Sequence, residues 1–179
     1  MRNIQTRVIE APLDRTGPLL EGLPDSRQRI WPAPAWSPMK LDAGLAVGST
    51  GGHGRIRYRV SEYEPGRRAR FAFAPHLGID GWHEFTLDPV GDGESGRDGD
   101  RARSRVTHTI RGRTSGPMLL MWPLAIRWLH EALVRDCFDR FEQAATGSVR
   151  RPNRWSPWVR IMRRVFTPWP HRPARRLPT

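Results

Sequence analysis

The sequence predicts an α+β fold in which a curved antiparallel sheet grips one long C-terminal helix, followed by a basic, tryptophan-rich tail helix. Three observations predict it. Apolar and polar residues alternate through four successive runs between Gly54 and Arg113, the pattern of strands with one dry face. From Met121 to Ala145 the period changes to three and four, the spacing of an amphipathic helix. The charge then changes abruptly: residues 1–145 hold 21 basic against 18 acidic side chains, a net +3, whereas residues 146–179 hold nine arginines and no acid.

Along the chain, residues 3–10 read as a strand with Ile4, Thr6 and Val8 on one side and Asn3, Gln5 and Arg7 on the other, ended by Pro12. Asp14 caps a short helix reaching Glu21, with Leu13, Leu19 and Leu20 as its apolar residues, and Pro24-Asp25 starts a further turn or short helix. Trp31-Pro-Ala-Pro-Ala-Trp36 is too rich in proline for a regular element, and Met39 to Leu41 follows as a short strand. Gly48-Ser-Thr-Gly-Gly-His-Gly54 has the composition of a phosphate loop but lacks its Lys-Ser/Thr and precedes a strand. It therefore reads as a glycine-rich β-connection, and nucleotide binding is excluded.

Arg55, Arg57 and Arg59 next alternate with Ile56, Tyr58 and Val60, Glu64-Pro-Gly-Arg67 turns the chain, and Ala69 to Ala74 returns with Phe71 and Phe73 on one face. Trp82 to Val90 directs His83, Phe85 and Leu87 one way, and Arg103 to Arg113 directs Val106, His108 and Ile110 to the matching face. Pairing these two runs through their loop sets His83 opposite Ile110 and Phe85 opposite His108. The loop Gly91 to Asp100 has turn composition throughout and is expected to be a disordered insertion. In the long helix Trp122, Ile126, Leu129, Leu133, Cys137, Phe141 and Ala144 form the apolar stripe, over about 37 Å at 1.5 Å per residue, and Gly147 stops it.

With 179 residues and 37% hydrophobic side chains, the chain suits one domain, residues 1–145, plus a tail, residues 146–179, and a multidomain enzyme is excluded. The longest apolar stretch, Pro117 to Ile126, stops at Arg127, short of the roughly 20 residues that span a bilayer. The N-terminus lacks the apolar block of a secretory signal, so a cytoplasmic protein is expected. Cys137 is the only cysteine, which leaves no intrachain disulfide and no cysteine-cluster metal site. With 29 arginines and one lysine, the arginine richness reads as base-composition bias.

The opening strand Ile4 to Glu10, Tyr58-Arg-Val-Ser-Glu-Tyr-Glu-Pro-Gly66 with Arg70-Phe-Ala-Phe73, Gly81-Trp-His-Glu-Phe85 and the helix Trp128-Leu-His-Glu-Ala-Leu133 together resemble the START-like, polyketide cyclase/dehydrase and lipid-transport (SRPBCC) superfamily over about residues 2–145. That resemblance implies a helix-grip fold with an elongated apolar cavity between sheet and long helix, opening near the loops and holding a hydrophobic small molecule. The superfamily hosts cyclases, lipid carriers, hormone receptors and chaperone activators, and no invariant catalytic motif carries over.

Two inward histidines, His83 and His108, are the candidate catalytic pair, suited to acid or base work on a ketide-like carbonyl or to orienting a polar ligand group; core histidines bonded to backbone or to Glu84, Glu131 or Asp136 are the alternative. Tyr58, Phe71, Phe73, Trp82 and Phe85 on the strands, with His130 and Leu133 on the helix, are the candidate ligand-lining residues, and Tyr63 joins them if its face is inward. No pair of histidines has metal-ligand spacing, so neither a metal nor a cofactor is expected. In the tail, Trp155, Trp158, Met162, Val165 and Trp169 recur at three- and four-residue steps, with Arg154, Arg160, Arg163 and Arg164 elsewhere on the wheel. Such a helix either packs on the body or on a partner, or lies on an anionic membrane surface; nucleic acid is disfavoured because no recognised binding module accompanies the charge. The near-balanced body predicts that the tail is dispensable for folding. The functions left open are binding or transport of a lipid or polyketide-like compound, an aromatase/cyclase-type enzyme using the same histidines, and an interaction protein docking through its tail.

Overall fold

A computed structural model describes residues 1–24, 30–91 and 102–166. The turn predicted from Pro24-Asp25, the Gly91 to Asp100 loop and Trp169 fall wholly or largely outside these residues. Seven strands pair antiparallel in the order β1-β7-β6-β5-β4-β3-β2. Alternating burial runs along β4 (Ile56–Glu64), β5 (Arg68–Phe73), β6 (Ile79–Val90) and β7 (Arg103–Thr114). His83 lies opposite Ile110 and Phe85 opposite His108, the register the alternation predicts. β1 (Arg2–Ile9) adds to the free side of β7. A bulge between Val60 and Glu62 shifts the phase of β4, which lets Tyr63 pack on the same inner core as Tyr58 and Val60.

Beyond the predicted meander, the glycine-rich connection is itself a strand, β3 (Thr50–His53), between β4 and β2 (Met39–Leu41). Gly51 shows why: a Cβ there would stand 2.0 Å from the Lys40 carbonyl oxygen, so the strands approach this closely only without a side chain.

The long helix is likewise not one uniform rod. A short helix α2 (Met118–Met121) passes through a π-helical turn, Trp122–Ile126, into α3 (Arg127–Thr146), which Gly147 ends at φ 82°. Pro123 supplies no N–H to the α-helical ladder, and the widened turn falls where that donor is missing. α3 buries Leu133, Cys137, Phe138, Phe141 and Ala145 against Val60, Phe71, Phe85, Leu87 and Val106 of the sheet. Full burial of such a side chain contributes about 1.5–3 kcal/mol. α1 (Leu13–Glu21) lies across the β4–β5 turn, where Gly17 meets the backbone of Gly66.

The polar side of β1, not its apolar side, faces α3. Asn3 donates to Glu131 at 2.7 Å, the Arg135 guanidinium donates to Gln5 at 3.2 Å, and Arg7 bonds Asp139 at 2.5 Å and Glu142 at 3.0 Å. Alternate strand residues repeat at about 6.8 Å and one four-residue step of helix rises about 6 Å, so the rungs match.

The C-terminal segment is packed on the body as far as it is described, through α4 (Pro157–Phe166) and the residues before it. Asp136 of α3 accepts hydrogen bonds from Trp36 Nε1 at 2.7 Å, Trp155 Nε1 at 2.9 Å and Asn153 Nδ2 at 2.6 Å. The Arg163 guanidinium lies 5.1 Å from the Trp36 ring centroid and 4.1 Å from that of Trp155, and Val159 is buried. The charge balance that predicts a separable tail misses this contact, because it is made by aromatic rings, by Asp136 and by the single guanidinium of Arg163, none of which a net charge reveals.

Candidate functional site: a buried row of histidines

Period two on β6 and β7 brings His83 and His108 to the inner face as diagonal neighbours, with His83 Nδ1 3.3 Å from His108 Nε2. His130, three residues before Leu133 on α3, lies against His108 with ring centroids 4.8 Å apart. On the other flank, His53 of β3 contacts the Tyr58 hydroxyl through Nδ1 at 3.2 Å, and the Tyr58 ring stands edge-on to His83 at 4.9 Å. Phe71 stacks on His83 at 4.9 Å, Phe73 tilts against it at 5.0 Å, and Phe85 meets His108 edge-on at 4.5 Å. Trp31 and Trp122 cover the two ends, beside His53 and His130.

Burial holds all four histidines far from protonation, and neighbouring imidazoles add to it at His53, His83 and His108. His53 is pushed down to about 3 by burial, then by His130 and Arg57; His130 is pushed down to about 4 by burial alone. His83 and His108 are also driven well below the usual imidazole value, first by burial and then by the other histidines. Burial raises the Tyr58 phenol. A neutral imidazole has one N–H donor and one acceptor nitrogen. Here His83 Nε2, His108 Nδ1 and His130 Nδ1 are shut off from water and bonded to no protein atom. Leaving such an atom unsatisfied costs about 1–3 kcal/mol.

Around Phe71, Phe85, Leu87 and His108 the interior between sheet and helix is closed. Phe71 and Leu87 are 0% exposed, His108 1% and Phe85 2%, so no water-sized gap touches them. A depression of about 390 Å³ lies elsewhere, at the sheet edge beside Lys40, Gly52 and Arg57. Only at its flanks, where His53 and His130 are half-buried, does the row approach the surface.

Of the predicted lining residues, Tyr58, Phe71, Phe73, Phe85, His130 and Leu133 meet in this interior. Trp82 does not. It precedes the inward His83, so the pleat turns it to the outer face, where the Arg70 guanidinium lies 4.4 Å from its ring centroid. His53 escapes a reading based on side-chain alternation because glycines precede it; its proximity to Tyr58 across the β3–β4 hairpin is the signal that would have found it. Among the described residues, no group of three His, Cys, Asp or Glu side chains is arranged to hold a metal ion. In the C-terminal segment Trp155 and Arg163 are engaged by the body, whereas Trp158, Arg160 and Arg164 are exposed.

The sheet order and the long helix across it define a helix-grip, SRPBCC-like fold. No protein-family model matches the chain, and no curated protein does. Solved structures are similar to it in fold. A protein from Nitrosospira multiformis shares 13% identity at a TM-score of 0.58, over 82% of this chain and 97% of that one. Truncated norcoclaurine synthase from Thalictrum flavum shares 10% at 0.57, over 82% and 93%, and CalU16 from Micromonospora echinospora shares 18% at 0.51, over 91% and 81%.

Proposed function

We propose that this protein binds a hydrophobic small molecule carrying a carbonyl or hydroxyl group in the interior between sheet and long helix. The observation that carries the reading is the set of three orphaned imidazole nitrogens inside an aromatic wall. Buried polar atoms in folded proteins have partners, and a ligand oxygen reaching this row would supply them. Phe71, Phe73, Phe85 and Leu133 would contribute apolar contact, about 0.8 kcal/mol per buried CH₂ of ligand, while His83, His108, His130 and Tyr58 would fix orientation. Access would come at the half-buried flank by His130 and Phe73, through a local rearrangement of the π-helical turn.

Binding is favoured over aromatase/cyclase turnover by basicity. A general base works best with a pKa near the working pH, and these imidazoles lie well below it. The test is native mass spectrometry of the purified full chain, with oleate and the polyketide-derived flavanone naringenin as added probes. A co-purifying or added hydrophobic compound should be retained by the protein and lost in the His83→Leu/His108→Leu double variant. Retention of nothing, together with a melting temperature unmoved by either probe, would overturn the reading.

A further inference from the structure

Most of the exposed large apolar side chains, though not Ile4, Val8 or Val47, gather on α2, the π-helical turn, the start of α3 and α4. Leu119, Leu120 and Leu124, on α2 and the π-helical turn, are 58%, 70% and 61% exposed, and Trp128 follows on α3. On α4, Trp158, Ile161 and Val165 repeat at i, i+3 and i+7 and are all exposed, while Val159 and Arg163 on another side hold the helix to the body. The two sets are tied together: the Trp158 indole N–H donates to the Leu124 carbonyl at 2.9 Å, and that of Trp128 donates to the Pro123 carbonyl at 3.0 Å. Both indoles are therefore fixed on the surface with their polar atom satisfied and somewhat less than half of the side chain, 42% for Trp128 and 44% for Trp158, free for contact.

Along the segments that carry this patch the exposed charge has one sign. Between Asp100 and Glu131 the sequence has no acidic residue, and it has none after Glu142. Glu131 itself is buried against Asn3 and Arg127. Arg127, Arg151, Arg154, Arg160 and Arg164 are exposed on these same segments, and Arg160 and Arg164 border the apolar stripe of α4. No described helix is long and apolar enough to cross a membrane.

We propose that α2, the π-helical turn and α4 form one composite surface that docks onto an anionic lipid bilayer. Leu119, Leu120, Leu124, Ile161 and Val165 enter the boundary between headgroups and acyl chains, Trp128 and Trp158 sit at headgroup level, and the bordering arginines pair with lipid phosphates. A leucine-rich turn with no acid for thirty residues before Glu131 suits a surface that is negative outside and apolar within. A second copy of this chain would bring the same excess of positive charge and be repelled.

The test uses the full chain and vesicles of phosphatidylcholine alone or with phosphatidylglycerol at about seven to three, in co-sedimentation at low and high salt. Binding to the mixed vesicles only, weakening as salt rises, is expected. Leu120→Asp with Leu124→Asp should abolish it, and Arg160→Ala with Arg164→Ala should weaken it about tenfold or more, at roughly 1 kcal/mol per charge. All four side chains are exposed, so the melting temperature should be unchanged in both variants. No association with the mixed vesicles overturns the proposal, as does association that survives the leucine substitutions. Concentration-dependent dimerisation lost on Leu120→Asp, without vesicle binding, would assign the surface to a second copy instead.

Discussion

Protonating any one of the four imidazoles places a charge where burial opposes it first, and at His83, His108 and His53 neighbouring imidazoles add to that. An unfolded chain has no such penalty, so its histidines titrate near 6.5, whereas in the folded state His53 titrates near 3, His130 near 4 and the other two well below the ordinary value. Between about pH 4 and pH 6.5 the unfolded state thus holds more protons. Stability is greatest above that window and falls as pH drops through it, by about 1.4 kcal/mol per pH unit for each imidazole. Urea unfolding from pH 7.5 to 4.5 should show a proton uptake that rises to close to four at the acid end, reduced by about two in His83→Leu/His108→Leu; a flat profile would disprove the burial. At neutral pH the same double variant removes orphaned nitrogens and should be neutral or more stable by about 1 kcal/mol, as expected where both partners of a buried polar pair become apolar. A loss above about 3 kcal/mol would mean that the imidazoles are structural, not held in reserve for a ligand.

At the scale of elements, the C-terminal segment is fastened largely by carboxylates of α3: Asp136 holds Trp155 and Asn153, Asp139 accepts from the Asn153 backbone N–H at 2.8 Å, and Glu142 from that of Arg150 at 3.2 Å. Asp136→Ala strips the acceptor from Trp36, Trp155 and Asn153, and a loss of about 3 kcal/mol should lower Tm by about 6–12 °C. Truncation after residue 149 should do at least as much, and a melt indifferent to both changes would show the segment to be free in solution. The π-helical turn is expected to exchange its amide hydrogens faster than α3 from Leu133 to Phe141, because Leu124 and Ile126 lie outside the closed core while the α3 residues are sealed in it. Much of this architecture was legible in the sequence where side chains alternate. The inward histidines and the β6–β7 register follow from Phe85, Leu87, Val106 and Ile110 alone. Where the deciding atoms are backbone, it was not. β3 is chosen by the close approach that Gly51 permits, the break before α3 by a missing N–H at Pro123, and the facing side of β1 by rungs reaching across to α3.

For the molecule as a whole, a closed interior means that the ligand competes with the protein's own packing. A saturating probe at about a hundred times its Kd should add about 2.7 kcal/mol and raise Tm by about 5–10 °C. Association should also be slower than diffusion allows, since binding waits on opening; stopped-flow rates that rise linearly with concentration to the diffusional range would contradict this. The topology has a consequence in time. β1, with Arg2 opposite Arg111 and Ile9 opposite Ser104, has no sheet partner until β7 is made. Synthesis at about 5–20 residues per second leaves it waiting some 5–20 s for roughly a hundred residues to emerge. During that interval the first strand is a bare ribbon exposed to other nascent chains on crowded polysomes. Arg2 and Arg7, one later exposed and the other later claimed by Asp139 and Glu142, repel its own copies while it waits.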